Sequence, residues 1–86
     1  MPFTLYILLS PSADKFYIGF TGDDITERIR KHNSNHKGFT GKVNDWALVY
    51  TETYLTKTEA MKREKELKSW KSKARIQKLI GSAHPG

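Results

Sequence analysis

The chain has 86 residues, with 15 Lys or Arg against nine Asp or Glu, a formal net charge of +6 and no cysteine. That length holds one core and no second domain, and a chain of this size buries only about 60% of its unfolded surface, so modest stability is expected. The missing cysteines exclude disulfide staples, a thiolate zinc site and a cysteine nucleophile, and no apolar run approaches the length of a bilayer-crossing helix.

The opening MPFTLYILL has neither a basic n-region nor a cleavage site. It reads as a strand rather than a signal peptide, and a cytoplasmic location is expected. Residues 3–9 alternate, with Phe3, Leu5, Ile7 and Leu9 on one face and Thr4, Tyr6 and Leu8 on the other. Ser10 to Lys15 is a turn by composition. Phe16 to Phe20 forms the returning strand, with Phe16, Ile18 and Phe20 on one side and Tyr17 on the other. Gly22-Asp23-Asp24 supplies capping chemistry for a helix over about 24–33. Residues 34–45, rich in Asn, Ser and Gly, read as a polar loop. Trp46 to Tyr54 is a third strand. Thr56-Lys57-Thr58-Glu59 is a capping box that opens a helix to about residue 69. Ser72 caps a last helix ending near Ile80, and residues 81–86 read as a disordered tail. A hairpin, a helix, a third strand and two helices make an α+β fold, a three-stranded and mainly antiparallel sheet flanked by helices.

Charge is concentrated late in the chain. Lys62, Arg63, Lys65, Lys68, Lys71, Lys73, Arg75 and Lys78 face only Glu64 and Glu66, so eight cations against two anions leave +6 in this segment. Such a run, with Trp70 inside it, suits a phosphate backbone, because each neutralised phosphate releases condensed counterions. A solvated helical face is the alternative.

Several polar residues are spaced to converge. Tyr6 and Tyr17 are 11 residues apart, which suits a tight hairpin, and both face away from the apolar rows. Gly19 inside a strand weakens it, yet it permits a close approach of backbone or ligand. Arg28 and His32 are four apart and share one helix face. On the later helix, at about 100° per residue, Ala60, Glu64, Leu67 and Lys71 fall within a sector about 60° wide. An acid on an apolar stripe is costly unless it meets a cation or a metal. A phenol, a guanidinium, an imidazole and a carboxylate together can deprotonate a water, hold a phosphate and bind a divalent ion. The structural alternatives are strand tyrosines, a satisfied half-buried His32, and a salt bridge from Glu64 to Arg28 or a neighbouring lysine.

Tyr6-Ile7, Tyr17-Ile18-Gly19, Arg28, His32 and Glu64 resemble the GIY-YIG endonuclease superfamily, in its small single-domain bacterial branch. That branch is related to the nuclease domains of excision-repair incision enzymes and structure-specific resolvases. The likeness spans nearly the whole chain, with residues 1–80 as the nuclease-like domain. It departs at Thr4-Leu5, where the family has glycine and isoleucine. The resemblance implies a metal-dependent hydrolysis of phosphodiesters, with DNA in repair or processing as the expected substrate and one Mg²⁺ or Mn²⁺ as cofactor. It implies Tyr6 as general base or water-positioning group, supported by Tyr17. His32 would relay the proton or orient the water, Arg28 would grip the phosphate, and Glu64 would hold the metal. An ordinary phenol titrates near pH 10, so a neighbouring cation is expected to favour its ionised form. Some relatives carry a lysine where this chain has Phe20, so that phosphate contact is missing or comes from Lys37 or Lys42. Lys68, Lys71, Lys73 and Arg75 are the expected backbone contacts. A non-catalytic nucleic-acid-binding module that retains the fold is the alternative from another class, and a protein-interaction domain using Trp46 and Trp70 is a third.

Overall fold

The computed structural model describes residues 2–34 and 44–82. Its elements are β1 (Phe3–Ser10), β2 (Lys15–Thr21), α1 (Ile25–Asn33), β3 (Ala47–Tyr54), α2 (Lys57–Ser69) and α3 (Lys73–Ser82). The three strands form one antiparallel sheet in the order β2-β1-β3, the α+β arrangement expected from the sequence. Lys37 and Lys42 lie outside the described residues, as do positions 83–86 of the expected tail. Gly81 and Ser82, assigned to that tail, instead close α3.

β1 is central, and this decides where the core sits. Leu5, Tyr6, Ile7 and Leu8 are each no more than 1% exposed, so both faces of the strand are covered. One cluster gathers Leu5, Ile7 and Ile18 with Leu67 of α2 and Ile76 of α3. The other gathers Tyr6, Leu8 and Trp46 with Tyr17 and with Ile25 and Ile29 of α1. Alternation along β1 places these clusters on opposite faces. The sequence put the tyrosines opposite the apolar row, and they are, but their face is a second core rather than a solvated one. Burying each large apolar side chain stabilises the fold by roughly 1.5–3 kcal/mol, and Trp46 belongs to this account as a core residue, 4% exposed.

Local chemistry sets the ends of each element. In the hairpin, Asp14 adopts φ 53°, a left-handed conformation that a short polar side chain tolerates. Asp45, just before β3, accepts from Ser10 Oγ at 2.6 Å and from the Ser12 backbone N–H at 2.9 Å, which ties the hairpin to the third strand. Asp24 caps α1 by accepting from the Thr26 N–H at 2.8 Å. Asn33, at its other end, both donates to the Trp46 carbonyl at 2.9 Å and accepts from the Trp46 N–H at 2.7 Å. Thr56 caps α2 by accepting from the Glu59 N–H at 3.2 Å. Its hydroxyl also donates to the Glu59 carboxylate at 2.9 Å, a side-chain variant of the expected capping box.

A register shift between Ile7 and Leu8 bulges β3 where Tyr50 pairs with Ile7 and Leu48 with Leu8. Beyond the bulge, Tyr50, Glu52 and Tyr54 stand on one face. The Glu52 carboxylate accepts from both phenols at 2.5 Å and from Arg63 Nε at 3.0 Å. Arg63 also donates to Glu66 at 2.8 Å. This network holds α2 against β3 and so sets the rotation of the helix that carries Glu64. Burial and the adjacent Glu52 charge push the Tyr50 and Tyr54 phenols up to about 12. Raised phenol values mean that the native state prefers the protonated forms. Their stabilising contribution is therefore complete below about pH 10, the unfolded value, and is lost as pH rises through 12. Melting temperature measured across pH 9 to 12 is expected to fall steeply, and the Tyr50→Phe, Tyr54→Phe double variant is expected to lose much of that dependence.

Candidate active site

Tyr6 is the centre of the site. Its side chain leaves β1 on the α1 face and crosses β2 over Gly19, its cross-strand partner. A Cβ on Gly19 would lie 2.8 Å from Tyr6 Oη, 3.0 Å from its Cζ and 3.1 Å from Tyr17 Cε1. Glycine is therefore required here for space, so that the phenol can lie against the strand.

Three elements converge on the phenol. His32, 7% exposed at the end of α1, places Nε2 at 3.0 Å from Tyr6 Oη. Arg28, one turn earlier on the same face, points Nε at the same oxygen over a long 3.4 Å. Because Arg28 can only donate, the network assigns the phenolic proton to His32 Nε2, which then acts as acceptor. Tyr17 packs its ring on His32 at a centroid distance of 4.7 Å and on Trp46 at 6.2 Å. The Asn33–Trp46 clamp fixes the helix end that carries His32. An open depression of about 320 Å³, lined by Arg28, Lys31, His32 and Ser34, adjoins this cluster.

The fourth element is α2. Ala60 and Leu67 are buried, as the stripe predicts. The Glu64 side chain is 18% exposed, and its charge adds to the rise of the Tyr6 phenol. Lys68, one turn on, brings Nζ within 3.7 Å of Glu64 Oε2 and 6.0 Å of the Tyr17 ring centre. Gly19, Arg28 and His32 thus meet at the Tyr6 oxygen with Tyr17 packed beside it, and Glu64, 58 positions from Tyr6, acts on the same phenol through its charge.

The electrostatics differ from the sequence expectation in one respect. Burial raises the Tyr6 phenol above its usual value. The Arg28 hydrogen bond and charge work against this, while the charges of Tyr17 and Glu64 add to it. Desolvation of a phenolate outweighs one guanidinium at 3.4 Å. The resting site holds Tyr6 protonated, not ionised.

The basic segment is divided by the fold. Lys71 adopts φ 48° between α2 and α3, so the cations are split between two helices. Lys73 Nζ is committed to Asp14, at 2.7 Å from both its carboxylate and its carbonyl oxygen. Arg75 stacks 4.3 Å over Trp70, which packs on the Leu5–Ile7 cluster. Arg63 serves the Glu52 network. Lys62, Lys65, Lys71 and Lys78 are exposed and form no ion pair among the described residues. Sequence reasoning missed the Glu52–Arg63 anchor. Its signal was an acid between two aromatics at strand spacing in Tyr50-Thr51-Glu52-Thr53-Tyr54.

Among the described residues no helix is long and apolar enough to cross a membrane, and no group of three or more His, Asp or Glu side chains could cage a metal. Glu64 supplies a single hard oxygen donor. Its carboxylate is partly buried, and its nearest cation, Lys68, is too distant for a hydrogen bond. Such a site fits a Mg²⁺ or Mn²⁺ ion that keeps several waters and takes the rest of its ligands from substrate phosphate.

Comparison with known proteins agrees with the fold. A UPF0213 protein of Staphylococcus epidermidis is 46% identical over 65 residues, covering 73% of each chain. One from Staphylococcus aureus is 40% identical over 60 residues, covering 69% of this chain and 72% of the relative. The solution NMR structure of a UPF0213 protein from Bacillus halodurans superimposes with a TM-score of 0.59 at 30% identity, covering all of this chain and 88% of that one. The profile of the GIY-YIG catalytic domain matches residues 2–78. With its motif tyrosines, arginine, histidine and glutamate gathered on one sheet-and-helix surface, the chain belongs to the GIY-YIG family of nuclease domains.

Proposed function

We propose that this protein is a Mg²⁺- or Mn²⁺-dependent endonuclease that hydrolyses phosphodiester bonds, with DNA in repair or processing as its substrate. The observation that carries the reading is the buried Tyr6 phenol, hydrogen-bonded to an imidazole, contacted by a guanidinium and within the field of a carboxylate. A tyrosine needed only for packing requires none of these partners.

The chain's own groups then divide the work. As the Tyr6 oxygen takes a proton from the attacking water, His32 Nε2 takes the phenolic proton. Tyr6 therefore need not ionise beforehand, which suits its raised value. Tyr17 holds the imidazole in line by packing on its ring. Arg28 shares its guanidinium between Tyr6 and the scissile phosphate and opposes the charge that grows there. Glu64 would hold the divalent ion, whose chemistry when bound is to neutralise charge on the leaving oxygen. Lys31 beside Arg28 and Lys68 beside the Tyr17 ring flank the path of a nucleic-acid backbone, and the exposed Lys71 is free to extend it.

The direct test incubates purified protein with branched, flap and single-stranded DNA, in Mn²⁺ or in EDTA. Cleavage with Mn²⁺ that EDTA abolishes is expected. Binding without cleavage of any substrate would instead favour a non-catalytic module. Salt dependence tests the binding surface separately. Log affinity should fall with log salt by about 0.9 for each duplex phosphate neutralised. Lys68→Gln with Lys71→Gln should flatten that slope, whereas Lys73→Gln should leave it nearly unchanged, because Lys73 is spent on Asp14.

A further inference from the structure

Lys68, which flanks the proposed path of a nucleic-acid backbone, also stands beside the proposed metal ligand. It is the nearest described cation to the Glu64 carboxylate, at 3.7 Å, and it lies beside the Tyr17 ring. Its side chain is 51% exposed, against 18% for Glu64. The ammonium therefore has more solvent to move into than the carboxylate has. A lysine is suited to such a move, because its charge sits on a flexible four-carbon stem and makes no fixed fork of hydrogen bonds. At 3.7 Å the pair is an ion contact without a tight hydrogen bond, so little is lost when it opens.

We infer that Lys68 is the resident counter-ion of Glu64, displaced by the divalent cation and released toward the substrate phosphate. This rests on Glu64 as the metal ligand. Before metal binds, the ammonium balances a partly buried carboxylate that would otherwise stand uncompensated beside the Tyr6 phenol. When a divalent ion takes the carboxylate, two cations cannot share the site, and the ammonium swings out along the face it shares with Glu64. That motion carries a positive charge to the surface where a nucleic-acid backbone would pass. Metal and nucleic acid then bind cooperatively: the ion frees the lysine, and the phosphate both receives the lysine and completes the ion's shell.

The test is Mn²⁺ binding alone, followed by the electron paramagnetic resonance of the free ion, for wild type, Glu64→Gln, Lys68→Met, Lys68→Arg and Lys65→Met. Lys65 lies on α2, is exposed, and has no ion pair among the described residues, so it reports the effect of losing one charge anywhere on the helix. Lys68→Met is expected to tighten Mn²⁺ binding by roughly three- to tenfold, from the removed competitor and the removed repulsion. Lys65→Met should change it by less than about twofold, since an exposed charge without a close partner is screened. Lys68→Arg, whose guanidinium forks onto a carboxylate, should not tighten Mn²⁺ binding and is expected to weaken it. Equal tightening by Lys68→Met and Lys65→Met would overturn the counter-ion role while leaving the metal assignment intact, provided that Glu64→Gln weakens binding. Unchanged Mn²⁺ binding in Glu64→Gln would overturn the metal assignment and this inference together.

Discussion

Glu64→Gln is expected to lower single-turnover cleavage by about three orders of magnitude, because the metal's stabilisation of transition-state charge is worth several kcal/mol and each 1.36 kcal/mol is tenfold. The substitution keeps the shape of the side chain and removes its charge. Its cost in stability should be small. The half-exposed Glu64–Lys68 pair is an i, i+4 contact at 3.7 Å, a class worth about 0.3–0.5 kcal/mol. For a domain of this size that corresponds to a shift of only about 2–4 °C in melting temperature. A thermal melt beside the cleavage assay therefore separates the possible roles. Lost cleavage with a near-native melt supports Glu64 as the metal ligand. Cleavage equal to wild type would assign the activity to a contaminant and return the chain to the binding-module reading. A variant that fails to fold would make Glu64 a structural partner of Lys68.

Tyr6→Phe is expected to reduce cleavage by about 10²–10⁴-fold, the usual share of a general base. It also leaves His32 Nε2 without the phenolic donor at 3.0 Å, at a cost of about 1–3 kcal/mol for a buried unsatisfied group. The loss of rate should exceed anything that the loss of stability explains at 25 °C. Gly19→Ala offers an independent check that keeps every polar group. The new Cβ meets Tyr6 Oη at 2.8 Å and Tyr17 Cε1 at 3.1 Å, so both rings must shift. Misplacing a reacting group by about 1 Å can cost 10²-fold. Cleavage is therefore expected to fall by about one to two orders of magnitude while nucleic-acid affinity stays near wild type. Full activity in both variants would remove Tyr6 from the chemistry.

The two variants also distinguish a positioned phenol from an ionised one. Burial raises Tyr6, so the site has no standing phenolate for Arg28 to preserve. The proton must leave through His32, and that route depends on the 3.0 Å contact set by α1. The Asn33–Trp46 clamp at the end of that helix is thus part of the site's support, although neither residue approaches the phenol's oxygen through a polar group.

The order and type of the elements were legible from the residues alone, because each signal was local. Alternation marked β1 and β2, Asp24 and Thr56 marked the helix starts, and the spacing of Ala60, Glu64 and Leu67 put an acid on a buried stripe. The motif positions Tyr6, Tyr17, Arg28, His32 and Glu64 were legible for the same reason. The remaining features depend on partners distant in the chain. A central β1 covered on both faces made the tyrosine face a second core, and that desolvation raised Tyr6 where the sequence suggested a lowered phenol. A run of eight cations looked like one surface. Asp14 and Glu52, from elsewhere in the chain, and Trp70, from within the run, claimed Lys73, Arg63 and Arg75 for the fold. Charge along a chain is a local property, but whether a charge is available to a ligand depends on which counter-charge folding brings beside it.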